Sequence, residues 1–196
     1  KGYDIKIYHA DVSDFDACSN LVKNIATDLG PVDILVNNAG ITKDVTLRKM
    51  TKSQWDAVMK INVDGLFNVT KQVVDGMMER GWGRIINISS INGQKGQMGQ
   101  TNYSTSKAAV HGFTMALAQE VARKGVTVNT VSPGYIATDM VMAVAEEIRK
   151  QIIAMIPVGR LGTVEEVAAM VDFLASHEAG FTTGADFSMN GGQHMM

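Results

Sequence analysis

RIINIS (84–89), SINGQKGQMGQT (90–101), NYSTSKAAVHGFTMALAQEVAR (102–123) and VTVNTVS (126–132) follow one another, and their reading decides the fold. The run 84–89, like 32–37 before it, is continuously hydrophobic, as expected of central parallel strands, and 126–132 is β-rich. Between them, 102–123 carries apolar residues at helical spacing. The same alternation extends outward, with strand 5–10, helix 14–29, strand 32–37 and helix 52–78 before it, and helices near 138–155 and 164–176 and strand 185–189 after it. Such alternation predicts an α/β fold, a doubly wound parallel sheet with helices on both faces.

Local chemistry supports these boundaries. Thr51 with Gln54 and Thr163 with Glu166 fit capping boxes, and Gly30 and Gly125 fit helix C-termini. The 196 residues suffice for one domain with a full core, and 45% hydrophobic with 19% charged residues is an ordinary globular balance. Eighteen basic and 20 acidic residues give a net charge of −2 with no polybasic run, which argues against nucleic acid or an anionic membrane as partner. Helix N-termini and backbone amides still allow a bound phosphate. No apolar stretch approaches the roughly 18 residues that span a bilayer, and Lys1-Gly2-Tyr3-Asp4 has no signal-peptide pattern, so the cytoplasm is the expected location. Cys18 lies on an apolar stripe with Leu21, Val22, Ile25 and Leu29 and reads as a core thiol. Met59, Met115 and Met170 read as core filling, and no metal site is expected.

Tyr103 and Lys107 stand four apart, one turn of helix, where an ammonium would lower the phenol's pKa from its free value of about 10. Ser90 ends strand 84–89, at the edge where open α/β sheets hold ligands, and its hydroxyl suits a carbonyl oxygen. Tyr-x-x-x-Lys alone is a weak signal. Two further motifs close strands: Asn37-Asn38-Ala39-Gly40 follows 32–37, and Pro133-Gly134-Tyr135-Ile136-Ala137-Thr138 follows 126–132, ahead of a helix that Thr138 could cap. Each alone is explained by a plain turn, but Asn38, Ser90 and Pro133 at three successive strand ends define one crevice. Asn62 is polar within an apolar helical pattern, as a side chain bonded to backbone or to a neighbour would be. Ala108, Gly112 and Ala116 form a stripe suited to close helix approach, either on the chain's own sheet or, as we prefer, in a subunit interface.

Together, NNAG (37–40), Asn62, Ser90 thirteen residues before Tyr103, YSTSK (103–107) and PGYIAT (133–138) resemble the short-chain dehydrogenase/reductases over essentially the whole chain. Within that family, GWGRIINISSINGQKGQMGQTNYSTSKAAVHGFTMALAQEV (81–121), RKGVTVNTVSPGYIATDMV (123–141) and GADFSMNGGQHM (184–195) are similar to acetoacetyl-coenzyme A reductases. The resemblance implies a Rossmann-like sheet, NADPH as cofactor, an acyl-CoA thioester as substrate, reduction of the C3 carbonyl of acetoacetyl-CoA, and a homotetramer. It implies Tyr103 as proton donor, Lys107 as the group that lowers the tyrosine pKa and bonds the nicotinamide ribose, Ser90 as carbonyl holder, and Asn62 as holder of a relay water. It further implies Asn38, Ala39 and Gly40 at the cofactor ribose, Asp11 and Val12 near the adenine, and Ile136 and Thr138 at the nicotinamide amide, with Ile41, Pro133 and Gly134 also cofactor residues. Asp44, Gln97, Met98, Gln100 and Tyr135 resemble substrate contacts, the glutamines suiting thioester or pantetheine amides and Met98 and Tyr135 supplying apolar walls. A polar loop without a ligand is the alternative reading of 97–100.

The chain departs from the family pattern at its start. It opens within what would be the third strand, and the glycine-rich strand-turn-helix and the strand that selects NAD or NADP have no counterpart. The expectation is a single, N-terminally incomplete domain over 1–196 that lacks the first two strands and folds poorly, the activity belonging to the complete parent protein. In the strand order 3-2-1-4-5-6-7, strand 5–10 would be parted from 32–37, whose apolar edge would be bare. Two alternatives remain: a 3-oxoacyl-acyl-carrier-protein reductase, for which the cluster Arg48, Lys49 and Lys52 is an ambiguous docking patch, and a non-catalytic oligomerisation piece.

Overall fold

The computed structural model describes residues 5–195, with Met140 described in its backbone only. β1 (Ile34–Asn37), β2 (Gly83–Ile88), β3 (Val126–Pro133) and β4 (Asp186–Met189) form one parallel sheet in chain order. Registers such as Leu35↔Ile85, Ile86↔Asn129 and Val131↔Phe187 bring the carboxyl ends to one edge. The helices are α1 (Phe15–Leu29), α2 (Lys52–Met59), α3 (Gly65–Arg80), α4 (Ile91–Lys95), α5 (Thr101–Val121), α6 (Asp139–Met142), α7 (Glu146–Ala154) and α8 (Val164–Ala175).

The sheet is doubly wound because alternate side chains of β2 and β3 point to opposite faces. Ile85, Val126 and Val128 pack with Val73, Met77 and Val121 of α3 and α5. On the other face, Ile86 and Val131 pack with Leu174 and Val171 of α8. Asn37 of β1 and Asn87 of β2 are satisfied by a polar row under α3 and α5, and Asn129 of β3 bonds Thr182 O at 2.7 Å instead. Asn37 Nδ2 donates to Asn87 Oδ1 at 2.9 Å and to Thr70 Oγ1 at 3.0 Å, and Asn87 Nδ2 donates to Thr114 Oγ1 at 2.9 Å. Pairing of this kind removes the cost of burying an amide. Both expected capping boxes form, at Thr51–Gln54 and Thr163–Glu166. Gly30 and Gly125 end their helices with φ of 94° and 73°, a region that favours glycine.

The structure corrects several expectations. Residues 5–10 form no strand: Ile5 and Ile7 are 70% and 91% exposed, and among the described residues the segment is fastened by side chains, Tyr8 Oη donating to Asp28 at 2.8 Å and Lys6 pairing with the same carboxylate at 3.3 Å. An alternating pattern makes a strand only beside a ladder partner, and none stands there among the described residues. The expected single helix 52–78 is divided by a π-helical turn, Lys60–Asp64. Leu29 and Met115, expected in the core, are 62% and 53% exposed. Cys18 is fully buried. Among the described residues, no helix is long and apolar enough to cross a membrane, and no group of three or more His, Cys, Asp or Glu stands ready to hold a metal ion.

Candidate active site

Two cavities meet at the carboxyl edge of the sheet. The larger, about 480 Å³, is lined by Asn38, Ser90, Tyr103, Pro133, Gly134 and Ile136 among others, with Thr138 at its rim. The smaller, about 160 Å³, lies beside β1 and is lined by Val12, Asn38, Ala39, Asn62, Gly65 and Lys107 among others. Asn38 and Ile88 belong to both, so the three strand-end motifs do form one crevice.

Ser90 is the N-cap of α4, its Oγ accepting from the Asn92 N–H at 3.1 Å. Tyr103 and Lys107 lie one turn apart on α5, with Lys107 Nζ 5.8 Å from the Tyr103 ring centroid. Lys107 is buried and donates to Ile88 O at 2.8 Å. That burial pushes its pKa down from 10.5 to about 8. Tyr103 moves the other way. Burial raises the phenol above its ordinary value, the nearby Ser90 hydroxyl acts to lower it, and the Asp44 charge acts to raise it. The ammonium expected to lower the tyrosine does not prevail, because desolvation penalises the charged form of both groups at once.

Asn62 sits in the π-helical turn and is buried. Its Oδ1 accepts from the Ile41 N–H at 2.8 Å, and its Nδ2 donates to Ile41 O at 3.0 Å and to Ser106 Oγ at 2.9 Å. Both amide protons are therefore committed, and the side chain clamps the loop after β1 to α5. Gly40 lies under this clamp, where a Cβ would come within 3.3 Å of Lys107 Nζ. A π-turn widens the helix locally and often marks a functional position.

The outer residues divide. Asp11 is exposed and accepts from the Ser13 N–H at 2.9 Å, while Val12 packs against Gly65. Gly134 donates its N–H to Met189 O at 2.9 Å, and Thr138 stands at the N-cap of α6 without a side-chain cap bond. Asp44 and Gln100 are brought together by a 2.7 Å bond from Gln100 Nε2. Gln97 faces Lys95, and Met98 is 89% exposed. Tyr135 lines an adjoining cavity of about 490 Å³ with Ile156, Val158 and Arg160, which shares Ile136 and Val167 with the Ser90–Tyr103 cavity; Met98 lines neither.

Sequence reading missed the supports of this site. Ser89 Oγ donates to Lys107 O at 2.8 Å, Ser106 Oγ donates to Tyr103 O at 2.8 Å, and the fully buried Asn102 donates to Lys43 O at 3.1 Å. At Gly93, a Cβ would stand 2.8 Å from the Lys107 carbonyl carbon, so only glycine lets α4 rest on α5. Asn102 and Ser106 flank Tyr103 as polar residues of a packed helix, a readable signal; Ser89 and Gly93 carried none.

Residues 1–194 match the sequence family described as Enoyl-(Acyl carrier protein) reductase. The chain belongs to the short-chain dehydrogenase/reductase family. It is therefore an oxidoreductase of CH–OH and C=O groups that uses a nicotinamide cofactor. It is 62% identical over 194 residues to an acetoacetyl-CoA reductase of Cupriavidus necator, an alignment covering 99% of this chain and 79% of that protein. It is 55% identical to an acetoacetyl-CoA reductase of Allochromatium vinosum, covering 100% and 79%. It is 46% identical to a 3-oxoacyl-[acyl-carrier-protein] reductase of Vibrio cholerae, covering 94% and 76%.

Proposed function

We propose that this protein reduces acetoacetyl-CoA to 3-hydroxybutyryl-CoA with NADPH. The observation that carries the reading is the meeting of two adjoining cavities at the strand ends, one lined by Ser90 and Tyr103 and the other by Lys107, with Asn38 and Ile88 common to both. The several acetoacetyl-CoA reductases among its relatives, 54–62% identical, favour the CoA thioester. When bound, the reduced nicotinamide supplies the hydride that the protein's own groups lack.

Ser90 Oγ accepts from a backbone amide, which leaves its own proton to donate to a carbonyl oxygen. Burial keeps the Tyr103 phenol protonated at neutral pH, the state a general acid needs in the reducing direction. Ile88 O takes one of the three Lys107 N–H donors, and the other two are available to ribose hydroxyls at Asn38, Ala39 and Gly40. Asn62 and Ile41 keep that loop in place. Pro133, Gly134, Ile136 and Thr138 form the opposite wall, suited to a nicotinamide ring, while Asp11 and Val12 stand at the adenine end. The family resemblance assigns Asp44, Gln97, Met98, Gln100 and Tyr135 to the thioester, and the Gln100–Asp44 bond supports that assignment by tying the loop 97–100 to the segment after β1.

The choice of NADPH, a cytoplasmic location and a homotetramer rest on the family resemblance. The exposed stripe Ala108, Gly112 and Ala116 supports close helix contact between subunits. The test is NADPH oxidation with acetoacetyl-CoA and with acetoacetyl-acyl-carrier protein at equal concentration. The CoA thioester is expected to react faster. A faster carrier-protein reaction assigns the protein to fatty acid synthesis, and no rate above background with either removes the reading.

A further inference from the structure

A cluster of polar side chains lies outside the crevice, on the α5 side of β3 and β4. Its centre is Asp186, a carboxylate 19% exposed that opens β4. Ser132 Oγ of β3, fully buried, donates to Asp186 Oδ1 at 2.6 Å. His111 Nε2 of α5 lies 3.4 Å from Asp186 Oδ2 and 3.3 Å from Ser132 Oγ. Gln94 Nε2 of α4 donates to Asp186 Oδ2 at 2.8 Å and to Ser188 Oγ at 2.6 Å.

The two helices that meet at this carboxylate carry the two halves of the catalytic set. α5 bears Tyr103 and Lys107, and α4 begins at Ser90. A helix of five residues cannot hold its own position. α4 is fixed at its first end by the Ser90 cap, in the middle by the contact of Gly93 with α5, by the bond from Asn92 Nδ2 to Gln100 Oε1 at 2.9 Å, and at its far end by Gln94. We propose that Asp186 is a positioning residue for the reduction: by binding Gln94 and His111 together against β3, it sets the placement of Ser90 relative to Tyr103. The proposal rests on the reading of Ser90 and Tyr103 as partners in carbonyl reduction. It adds that their spacing is held from the opposite end of α4, by residues no strand-end motif includes.

The test compares Gln94→Ala and Asp186→Ala with the unaltered protein and with Ser90→Ala, each alone and combined. Expected for either anchor variant is a fall of about tenfold or more in kcat for acetoacetyl-CoA reduction, with KM for NADPH within about twofold. In the Ser90→Ala background, Gln94→Ala is expected to cost little further, since it acts through Ser90. A full, multiplicative loss there, or an unchanged kcat in both single variants, overturns the proposal. Hydrogen exchange supplies a readout that does not need turnover: the amides of Asn92 and Gly93, bonded to Ser90, are expected to exchange about tenfold faster in Gln94→Ala while those of β2 and β3 keep their protection. Unchanged protection at 90–96 contradicts the proposal even if acetoacetyl-CoA is not the substrate, and absence of turnover in the unaltered protein contradicts only the substrate reading.

Discussion

The two ends of the crevice are built differently. At the Ser90–Tyr103–Lys107 end, β2 is covered by helices on both faces, and the reactive side chains are braced by Ser89, Gly93, Asn62 and Ser106. At the Asp11–Val12–Ala39 end, β1, expected as a central strand, is the edge strand of the described residues with Ile34 and Val36 45% and 41% exposed, and among those residues the segment leading to Asp11 pairs with no strand. Precise proton chemistry is therefore located where side chains are locked by packing. The end suited to the distal cofactor depends on side-chain contacts such as the Asn68 bond to Val12 O at 2.9 Å.

The largest expected effect lies at the braced end. Tyr103→Phe removes the proton donor and is expected to lower kcat by about a thousandfold while NADPH affinity, read by cofactor fluorescence, stays within about twofold. Near-normal turnover would remove Tyr103 from the chemistry. A pair of glycine substitutions compares the ends directly. Gly93→Ala drives a Cβ into α5 backbone, whereas Gly65→Ala meets a Val12 methyl at 2.9 Å, on a segment that can shift because no strand holds it among the described residues. The first is expected to cost about 2–3 kcal/mol and most of kcat, the second about 1 kcal/mol or less with its effect on KM for NADPH; equal costs by denaturant melts would contradict the comparison.

Lys107→Met separates stability from function. The lysine is charged in folded and unfolded states below about pH 8, so its desolvation penalty is fully present there, and above 10.5 both states are neutral and the penalty is gone. The variant is therefore expected to be inactive yet more stable at pH 7, by up to about 3 kcal/mol, with the gain shrinking as pH rises from 8 to 10.5. Loss of stability at pH 7 would show that the Ile88 bond outweighs burial of the charge. The smallest effects compare the sheet's own residues: Ile86→Val, 1% exposed, is expected to cost about 1 kcal/mol, and Ile34→Val less than about 0.5 kcal/mol. Similar melting shifts for the two would mean that β1 is covered in solution.

What could be read in the sequence follows the same division. β2, β3 and α5 were legible because a continuous apolar run, a β-rich run, helical periodicity and a glycine stop all agree locally. The strand ends located Asn38, Ser90 and Pro133 for the same reason. Residues 5–10 misled because pairing is a property of the neighbouring strand, not of the alternation in Ile5-Lys6-Ile7. The π-turn at Asn62 was hidden because the apolar period runs through it unbroken, and the partners its side chain bonds, Ile41 and Ser106, lie 21 and 44 residues away. Gln94 and Asp186, 92 residues apart, could not be joined by any local pattern. The pKa directions were misjudged at Tyr103 because spacing reports the lysine's proximity but not the shared burial.

The most direct test of the account is the pH profile of kcat/KM for acetoacetyl-CoA reduction at saturating NADPH, from pH 6 to 10. With Tyr103 held protonated and Lys107 titrating near 8, the account predicts a plateau at neutral pH and a decline as pH rises through about 8. A rate that rises across the same range, or no acetoacetyl-CoA-dependent rate at any pH, would contradict it.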